Sequence, residues 1–144
     1  MAQVVVDANV LIAARLSRDH DHDRGRAVAR AFDRGELPPA YVLSDVLEEI
    51  VNYLQARSSH DVAVETLDAL IESSGFEIMG TPKRDFDAGR SLLRMYEHLS
   101  LTDAVIVGTM QRRDLDYLYS FDEGFDAVDG ITRLTTPENP FDMG

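Results

Sequence analysis

The stretch Val4-Val5-Val6-Asp7, close to the amino terminus, decides the fold class. A run of β-branched apolar residues is typical of a strand buried on both faces, as the strands of a parallel sheet are. The charged Asp7 follows this strand directly, and a helix is predicted from Asn9 to Leu16. A strand, a polar turn and a helix in this order predict the first unit of an α/β protein.

The rest of the chain continues this alternation. Further strands are predicted at Tyr41–Leu43, Phe76–Met79, Tyr117–Phe121 and Ile131–Leu134. A second helix is predicted with Ala27, Val28, Ala31 and Phe32 on one side and a stop at Gly35, and a third after an N-cap at Ser44. A fourth is predicted over Asp61–Ser73 with a C-cap at Gly75. The last two are predicted from Pro82 to about His98 after an N-cap at Thr81, and over Ala104–Arg113 after an N-cap at Thr102. This spacing predicts helices packed around a mostly parallel sheet.

Apolar positions at helical spacing predict the faces that pack inward. They are Val46, Leu47, Ile50, Val51 and Leu54 after Ser44, then Val62, Leu67, Leu70 and Ile71, then Phe86, Leu92, Leu93 and Tyr96.

Length and composition favour one soluble domain. The chain has 144 residues, 44% of them hydrophobic, which is enough for a buried core. It contains no cysteine, so disulfides, thiolate nucleophiles and thiolate zinc sites are excluded. No apolar run reaches the ~20 residues of a membrane span, and no signal peptide begins the sequence, so we expect a cytoplasmic protein. We expect a domain over residues 1–135 and an irregular tail over residues 136–144.

The charge is strongly acidic, with a formal net charge of −12. Lys83 is the only lysine beside thirteen arginines, and aspartate outnumbers glutamate seventeen to nine. This balance is typical of a protein surface adapted to high salt, where a Debye length of about 3 Å at about 1 M screens self-repulsion. A generic acidic enzyme is the alternative. If the surface is adapted to high salt, the acidic net charge does not exclude a polyanionic substrate.

Acidic residues follow or flank the predicted strands. Asp7 and Asp122 come directly after strands, Asp103 opens a helix, and Glu48 or Glu49 lies in the first turns of another. Each has an ordinary explanation as a cap, a turn residue or a solvated face. The carboxyl ends of parallel strands form one edge, however, and carboxylates that meet there repel one another unless a divalent cation binds. Oxygen ligands of this kind suit Mg²⁺ or Mn²⁺.

Four segments carry a resemblance to a known family. Residues 7–12 (DANVLI), 44–50 (SDVLEEI), 101–104 (LTDA) and 120–125 (SFDEGF) resemble the four acidic motifs of the PIN-domain ribonucleases, in the same order and at similar spacing. The likeness is greatest to the small VapC-type toxins of prokaryotic toxin–antitoxin modules. The resemblance implies a three-layer PIN-like fold with a mostly parallel central sheet flanked by helices.

The resemblance also implies roles for individual residues. The implied catalytic and metal-binding carboxylates are Asp7, Glu49, Asp103 and Asp122, and the implied supporting residues are Asn9, Thr102 and Ser120. Two further acids stay open as alternatives. Glu48 is adjacent to Glu49 but points about 100° away around a helix, and Asp126 is a second candidate in the last motif. Asp45 fits a structural place at a helix start.

The function implied is hydrolysis of RNA phosphodiesters with one or two Mg²⁺ or Mn²⁺ ions. The expected partners are an RNA substrate, an antitoxin protein that covers the acidic pocket, and a second copy of the chain; no membrane is expected. Arginines suit phosphate contacts. The candidates for this role are Arg15, Arg84, Arg112 and Arg113, although each is more simply a solvated surface residue.

Other classes of protein fit less well. A non-catalytic PIN-like module that binds RNA or a protein is the main alternative. A response-regulator receiver domain should have paired acids after its first strand and a lysine near its last strand. Here Asp7 stands alone after the first strand, and the only lysine is Lys83. Zinc binding by the acidic and histidine residues 19–23 is disfavoured, because neighbouring loop residues rarely converge on one ion. No glycine-rich nucleotide loop occurs.

Overall fold

A computed structural model of the chain describes residues 2–141, which form a sheet with helices on both faces. The strands are β1 (Val4–Val6), β2 (Ala40–Leu43), β3 (Phe76–Met79), β4 (Tyr117–Tyr119) and β5 (Thr132–Leu134). The helices are α1 (Ala8–Arg15), α2 (His22–Asp33), α3 (Ser44–Arg57), α4 (His60–Glu72), α5 (Lys83–Met95) and α6 (Leu101–Arg112). A short 3-10 helix covers Glu123–Ala127.

The sheet has the order β3-β2-β1-β4-β5, and all its strand pairs are parallel. β1 is central, with Val4 opposite both Ala40 and Tyr117, and its three valines are fully buried. The predicted parallel sheet of apolar strands is therefore confirmed. A receiver domain has the order 2-1-3-4-5, so the receiver alternative is excluded.

The helices form two outer layers because strand crossovers are right-handed. The chain moves from β1 to β2 to β3 in one direction, with α1 to α4 in contact with one another along this path. It then returns past β1 to β4 through α5 and α6, which pack on each other. The return places α5 and α6 on the opposite face, which gives the predicted three layers.

The end of α4 differs from the prediction. The helix ends at Glu72 and its C-cap is Ser73, so Gly75 is not the cap. Gly75 instead lies against α2, where a Cβ atom would stand 2.2 Å from the carbonyl oxygen of Phe32. This close approach of two backbones requires a glycine. Ile71, predicted to face inward, is exposed.

The starts of α3 and α5 also differ from the prediction. Ser44 is the first residue of α3 rather than its cap, because β2 stays paired with β3 as far as Leu43. Leu43 therefore takes the N-cap position, without a side-chain hydrogen bond. In α5 the N-cap is Pro82, so both the cap at Thr81 and the start at Pro82 were placed one residue early.

The inward face of α5 was predicted incorrectly. Phe86 is 47% exposed and Leu93 is 39% exposed. The buried residues of α5 are Asp85, Gly89 and Leu92. Hydrophobic spacing could not indicate this face, because a paired carboxylate and a glycine in close contact with α6 occupy it. The helix ends at Met95, before the predicted limit at about His98.

The chain after β5 has neither helix nor strand as far as Phe141. The ring of Phe141 packs edge-on against Tyr117, with centroids 5.1 Å apart. Residues 142–144 of the predicted tail lie outside the described residues, and the domain limit at residue 135 stays a prediction. Within residues 2–141, none of the helices has the length and apolar character that crossing a membrane requires.

Candidate metal centre

The candidate site lies where the chain reverses its direction across the sheet. β1 and β4 are neighbours, but the connections that leave β1 and enter β4 run on opposite faces. Such a switch point opens a crevice beyond the carboxyl ends of the two strands. Asp7 follows β1 directly, and Ser120, Phe121 and Asp122 follow β4.

Asp7 is held rigidly by its neighbours. It is the N-cap of α1, where its Oδ1 accepts a hydrogen bond of 2.8 Å from the backbone N–H of Ala8. Its Oδ2 accepts a 2.8 Å hydrogen bond from the hydroxyl of Ser120, which is fully buried. The amide of Asn9 donates to the same Oδ2 at 3.4 Å. The carboxylate of Asp7 is only 4% exposed and cannot change its orientation freely.

The segment after β4 is tied to this cluster. The Ser120 hydroxyl oxygen accepts the backbone N–H of Asp122 at 3.1 Å, while the Asn9 side-chain oxygen accepts the N–H of Phe121, also at 3.1 Å. Asp122 then caps the 3-10 helix, with its Oδ1 accepting the N–H of Gly124 at 2.9 Å. Ser120 and Asn9 thus connect Asp7 with the segment of Asp122, which supports their role in the site; that role stays a prediction.

Asp103 reaches the same edge from the first turn of α6. The cap of this helix is Ser100, whose hydroxyl oxygen accepts the N–H of Asp103 at 3.1 Å. The predicted cap, Thr102, lies inside the helix, so that prediction was wrong. The pattern Ser-x-x-Asp over residues 100–103 is a capping box and could have indicated the true start. Thr102 as a supporting residue of the site stays a prediction.

Glu49 and Glu48 are distinguished by their surroundings. The charge of Glu49 is close enough to raise the pKa of Asp7, whereas Glu48 has no such effect. Partial burial also raises the pKa of Glu49 itself. This effect supports Glu49, and the choice of Glu49 over Glu48 as a ligand stays a prediction.

Asp126, the alternative to Asp122, is occupied elsewhere. Both of its oxygens bind Arg133, through Nε at 2.9 Å and Nη2 at 3.0 Å. This bidentate pair holds the pKa of Asp126 below its usual range. Arg133 also donates to the carbonyl oxygen of Ser120 at 3.2 Å. Sequence reasoning missed Arg133, because no motif includes it and only the pairing of β4 with β5 brings it here.

The acids repel one another. Burial raises the pKa of Asp7 to about 6, and the charges of Glu49 and Asp122 add to this rise against the hydrogen bonds from Ser120 and Ala8. Burial also raises the pKa of Asp103 to about 7, with the charges of Asp7 and Asp122 acting in the same direction. Hydrogen bonds from Ser100 act against the rise at Asp103. A bound cation would relieve this repulsion.

The donor set fits a hard divalent cation. All four candidate ligands are carboxylates, as Mg²⁺ and Mn²⁺ prefer. Among residues 2–141, no three acidic, histidine or cysteine side chains stand close enough together to enclose an ion as they are. Mg²⁺ does not need such a cage, since it commonly binds one or two carboxylates and completes its shell with water and substrate phosphate.

The acidic and histidine residues 19–23 do not form a second metal site. Asp19 accepts the backbone N–H of Asp21 at 2.8 Å, and the ring of His22 contacts the carbonyl oxygen of Ala13 through Nδ1 at 2.8 Å. These contacts shape the loop between α1 and α2.

Most of the arginines predicted to bind RNA lie away from these acids. Arg112 binds Asp85 through Nε at 2.6 Å, nine residues and about 14 Å of helix from Asp103. Arg84 lies beside the same Asp85, since its charge lowers the pKa of that carboxyl. Arg113 donates to the hydroxyl of Tyr41 at the opposite edge of the sheet. These three arginines have partners within the protein, and their contact with RNA stays a prediction.

The fourth of these arginines, Arg15, ends α1 at the far end from Asp7. It pairs with Glu65 at 3.2 Å on the surface. Its contact with RNA stays a prediction.

Comparisons with known proteins agree with this architecture. The PIN domain family matches residues 4–131. Ribonuclease VapC13 of Mycobacterium tuberculosis is 30% identical over 132 residues, which are 91% of this chain and 98% of that protein. Among solved structures, VapC20 of Mycobacterium tuberculosis, described as a toxin that cleaves the sarcin-ricin loop, has a TM-score of 0.73 and 22% identity, covering 89% of this chain and 96% of that one. A toxin–antitoxin complex from Klebsiella pneumoniae has a TM-score of 0.62 and 19% identity, covering 94% of this chain and 98% of that one.

The chain therefore belongs to the PIN-domain family. The more specific likeness to VapC-type proteins, predicted from the four motifs, is confirmed by the relative at 30% identity. The two solved structures, at lower identity, confirm the fold.

Proposed function

We propose that this protein is a divalent-metal-dependent endoribonuclease in which Asp7, Glu49, Asp103 and Asp122 hold Mg²⁺ or Mn²⁺. Ribonuclease activity follows from its membership among the VapC ribonucleases. The observation that carries the proposal is the mutual repulsion of acids from four separate parts of the chain. Asp7 and Asp103 are buried, and burying charged carboxylates costs stability, so the approach of the four acids is best explained by a ligand that is itself a cation.

The residues of the chain divide the work between holding and orienting. Oδ1 of Asp7 accepts one hydrogen bond, from Ala8, and retains a further lone pair for an ion, whereas Oδ2 accepts from both Ser120 and Asn9. Ser120 has its hydroxyl proton committed to Asp7 and is fully buried, so it orients the carboxylate and is not a nucleophile. When bound, the ion activates water and polarises the scissile phosphate.

The proposal includes a protein partner that regulates the site. The Klebsiella pneumoniae structure is a toxin–antitoxin complex, which supports an antitoxin partner for this chain as well. The C-terminal segment of such an antitoxin would cover the acidic pocket. A homodimer is the proposed state of the toxin.

The decisive experiment is a cleavage assay on RNA with added Mg²⁺ or Mn²⁺, run with matched acid-to-amide variants. Glu49→Gln should lower the rate by more than the 10–100-fold typical of a residue that only supports a ligand. Glu48→Gln, one residue away, should cleave like the wild type. Asp103→Asn should abolish cleavage, and Asp126→Asn should have a smaller effect because Asp126 serves Arg133. A chelator should stop the wild type.

Two results would contradict the proposal. Cleavage that survives complete chelation would exclude the metal. RNA binding without cleavage by the folded wild type, at any concentration of either metal, would instead favour the non-catalytic PIN-like module.

A further inference from the structure

Arg24, in the first turn of α2, lies over the ring of Phe121. The carbon at the centre of its guanidinium stands 4.0 Å from the ring centroid, which is close for a cation–π contact. Phe121 is the residue between Ser120, the partner of Asp7, and Asp122. An arginine from a different layer of the fold is therefore stacked on the segment that carries the acids.

The guanidinium of Arg24 is held by the Phe121 ring on one face and by Asp21 along one edge. Its Nε donates to Oδ1 of Asp21 at 2.8 Å, and Nη2 stands 2.8 Å from the same oxygen. Asp21 is itself fixed, since its backbone N–H donates to Asp19. The contact of His22 with the carbonyl oxygen of Ala13 anchors this loop to α1. The acidic and histidine residues 19–23 thus form a support for Arg24.

Phe121 is equally fixed. Its backbone N–H donates to Asn9, and the next N–H, of Asp122, donates to Ser120. These are the residues that orient Asp7. The stacked pair Arg24–Phe121 consequently has a defined position relative to the candidate metal centre, set by hydrogen bonds on both sides.

The free edge of Arg24 faces water. Its side chain is 46% exposed, and within residues 2–141 its Nη1 makes no hydrogen bond. A guanidinium has five N–H donors in a planar fork that matches two phosphate oxygens. Stacking and the bond to Asp21 fix the plane of this fork without using its outer edge.

Arg133, the other arginine near the acids, is differently placed. Its side chain is 17% exposed, and its guanidinium is divided between Asp126 and the carbonyl oxygen of Ser120. Arg24 is thus the better placed of the two to bind an anion from solution.

We propose that Arg24, stacked on Phe121, binds a backbone phosphate of the RNA substrate. This inference rests on the proposed function, because it assigns a substrate contact to the same site. The chain carries a net charge of −12, so a polyanion needs a local cation to dock beside four carboxylates. Arg24 supplies such a cation against Phe121, the residue that precedes Asp122 in the sequence.

The test measures binding of a labelled, mixed-sequence single-stranded RNA over a range of salt concentrations. All proteins in this binding test carry Asp103→Asn, which should abolish cleavage, so that the RNA is not cut. Loss of one phosphate contact should reduce the slope of log affinity against log salt by about 0.7. We expect this change for Arg24→Ala. Arg57→Ala removes another arginine that lies over an aromatic ring, that of Tyr53 at 5.6 Å, and should leave the slope unchanged.

A conservative variant separates binding from a merely structural role. Arg24→Lys keeps the charge and should keep the slope while losing part of the affinity, because lysine lacks the planar fork. In the active protein, Arg24→Ala should raise KM more than it lowers kcat. Thermal unfolding of each variant reports whether the fold is retained.

Each other outcome has a definite meaning. Equal slopes for Arg24→Ala and Arg57→Ala would overturn the phosphate contact while leaving the ribonuclease intact. The same holds if the RNA affinity lost in Arg24→Ala returns when that variant is simply refolded. A wild-type protein that neither cleaves nor binds RNA would overturn the proposed function together with this contact.

Discussion

At the scale of single residues, the buried acids of the candidate site lower the stability of the metal-free fold. Asp7 is almost completely buried, and the hydrogen bonds from Ala8 and Ser120 offset only part of the cost of its charge. Asp103 has its pKa raised to about 7 by burial and by its acidic neighbours. Residues that weaken the metal-free fold are typical of functional sites.

Removing one of these charges should stabilise the metal-free protein. A pKa raised in the folded state means that stability is greatest at low pH and is lost as the pH rises through the folded value, here about 7 for Asp103. Asp103→Asn should therefore raise the Tm in chelator at pH 8 by at least ~3 °C, with a smaller difference at pH 5, which lies between the unfolded and the folded pKa. Differential scanning calorimetry at both pH values measures this.

Added Mg²⁺ provides the control for this variant. It should raise the Tm of the wild type and have a much smaller effect on Asp103→Asn. A lower Tm for Asp103→Asn in chelator at pH 8 would contradict the assignment of repulsion at this position.

At the scale of secondary structure elements, the contact between α5 and α6 positions Asp103. Gly89 allows it, because a Cβ atom there would stand 2.7 Å from Val105. Asp85, which is 1% exposed, binds Arg112 through both oxygens and accepts a hydrogen bond from Thr109. This pair fixes the far end of α6, and the rigid helix carries that placement to Asp103.

Breaking the pair should destabilise the protein without a direct effect on RNA. Arg112→Met leaves the buried Asp85 without its cation, which costs about 3–5 kcal/mol in comparable sites. Arg112 holds the pKa of Asp85 below its usual range, so the stability from this pair is present above the unfolded value and is lost as the pH falls through the folded one. Urea unfolding at neutral and acidic pH should show the deficit shrinking in acid.

The exposed Arg90 of α5 is the control for this substitution. Arg90→Met should change the free energy of unfolding by less than about 0.5 kcal/mol. A similar loss from both variants would mean that the pair contributes no more than a surface charge.

The same helices show what element prediction can achieve. The apolar run of β1 and the existence of all six helices were predictable, because burial of whole faces leaves a periodic pattern. The inward face of α5 was not predictable, since Asp85 and Gly89 are buried for reasons that lie in α6. Caps were displaced for a similar reason, as at Ser44, where strand pairing continues to the preceding residue.

At the scale of the whole molecule, the charge distribution opposes both compaction and RNA binding. Acidic residues number 26 against 14 lysines and arginines. Net self-repulsion destabilises a compact state and is reduced by screening. The interpretation of a salt-adapted surface therefore makes a direct prediction about stability.

Salt should stabilise this protein. Raising KCl from about 0.1 M to about 1 M shortens the Debye length from about 10 Å to about 3 Å, and the Tm measured in chelator should rise over this range. Sucrose at matched osmolality is the control for general solvent effects. A Tm that falls or stays constant in KCl would favour the generic acidic enzyme instead.

The amino-acid sequence by itself determined the parallel α/β architecture, the family and the acidic candidates, because apolar runs, helix periodicity and short motifs are local properties of the chain. Only the tertiary structure decided that Asp126 is bound by Arg133 and that Arg24 lies over Phe121. These choices depend on side-chain direction and on partners distant in sequence. Ser120 and Asp7 are 113 positions apart, and only the pairing of β1 with β4 makes them neighbours.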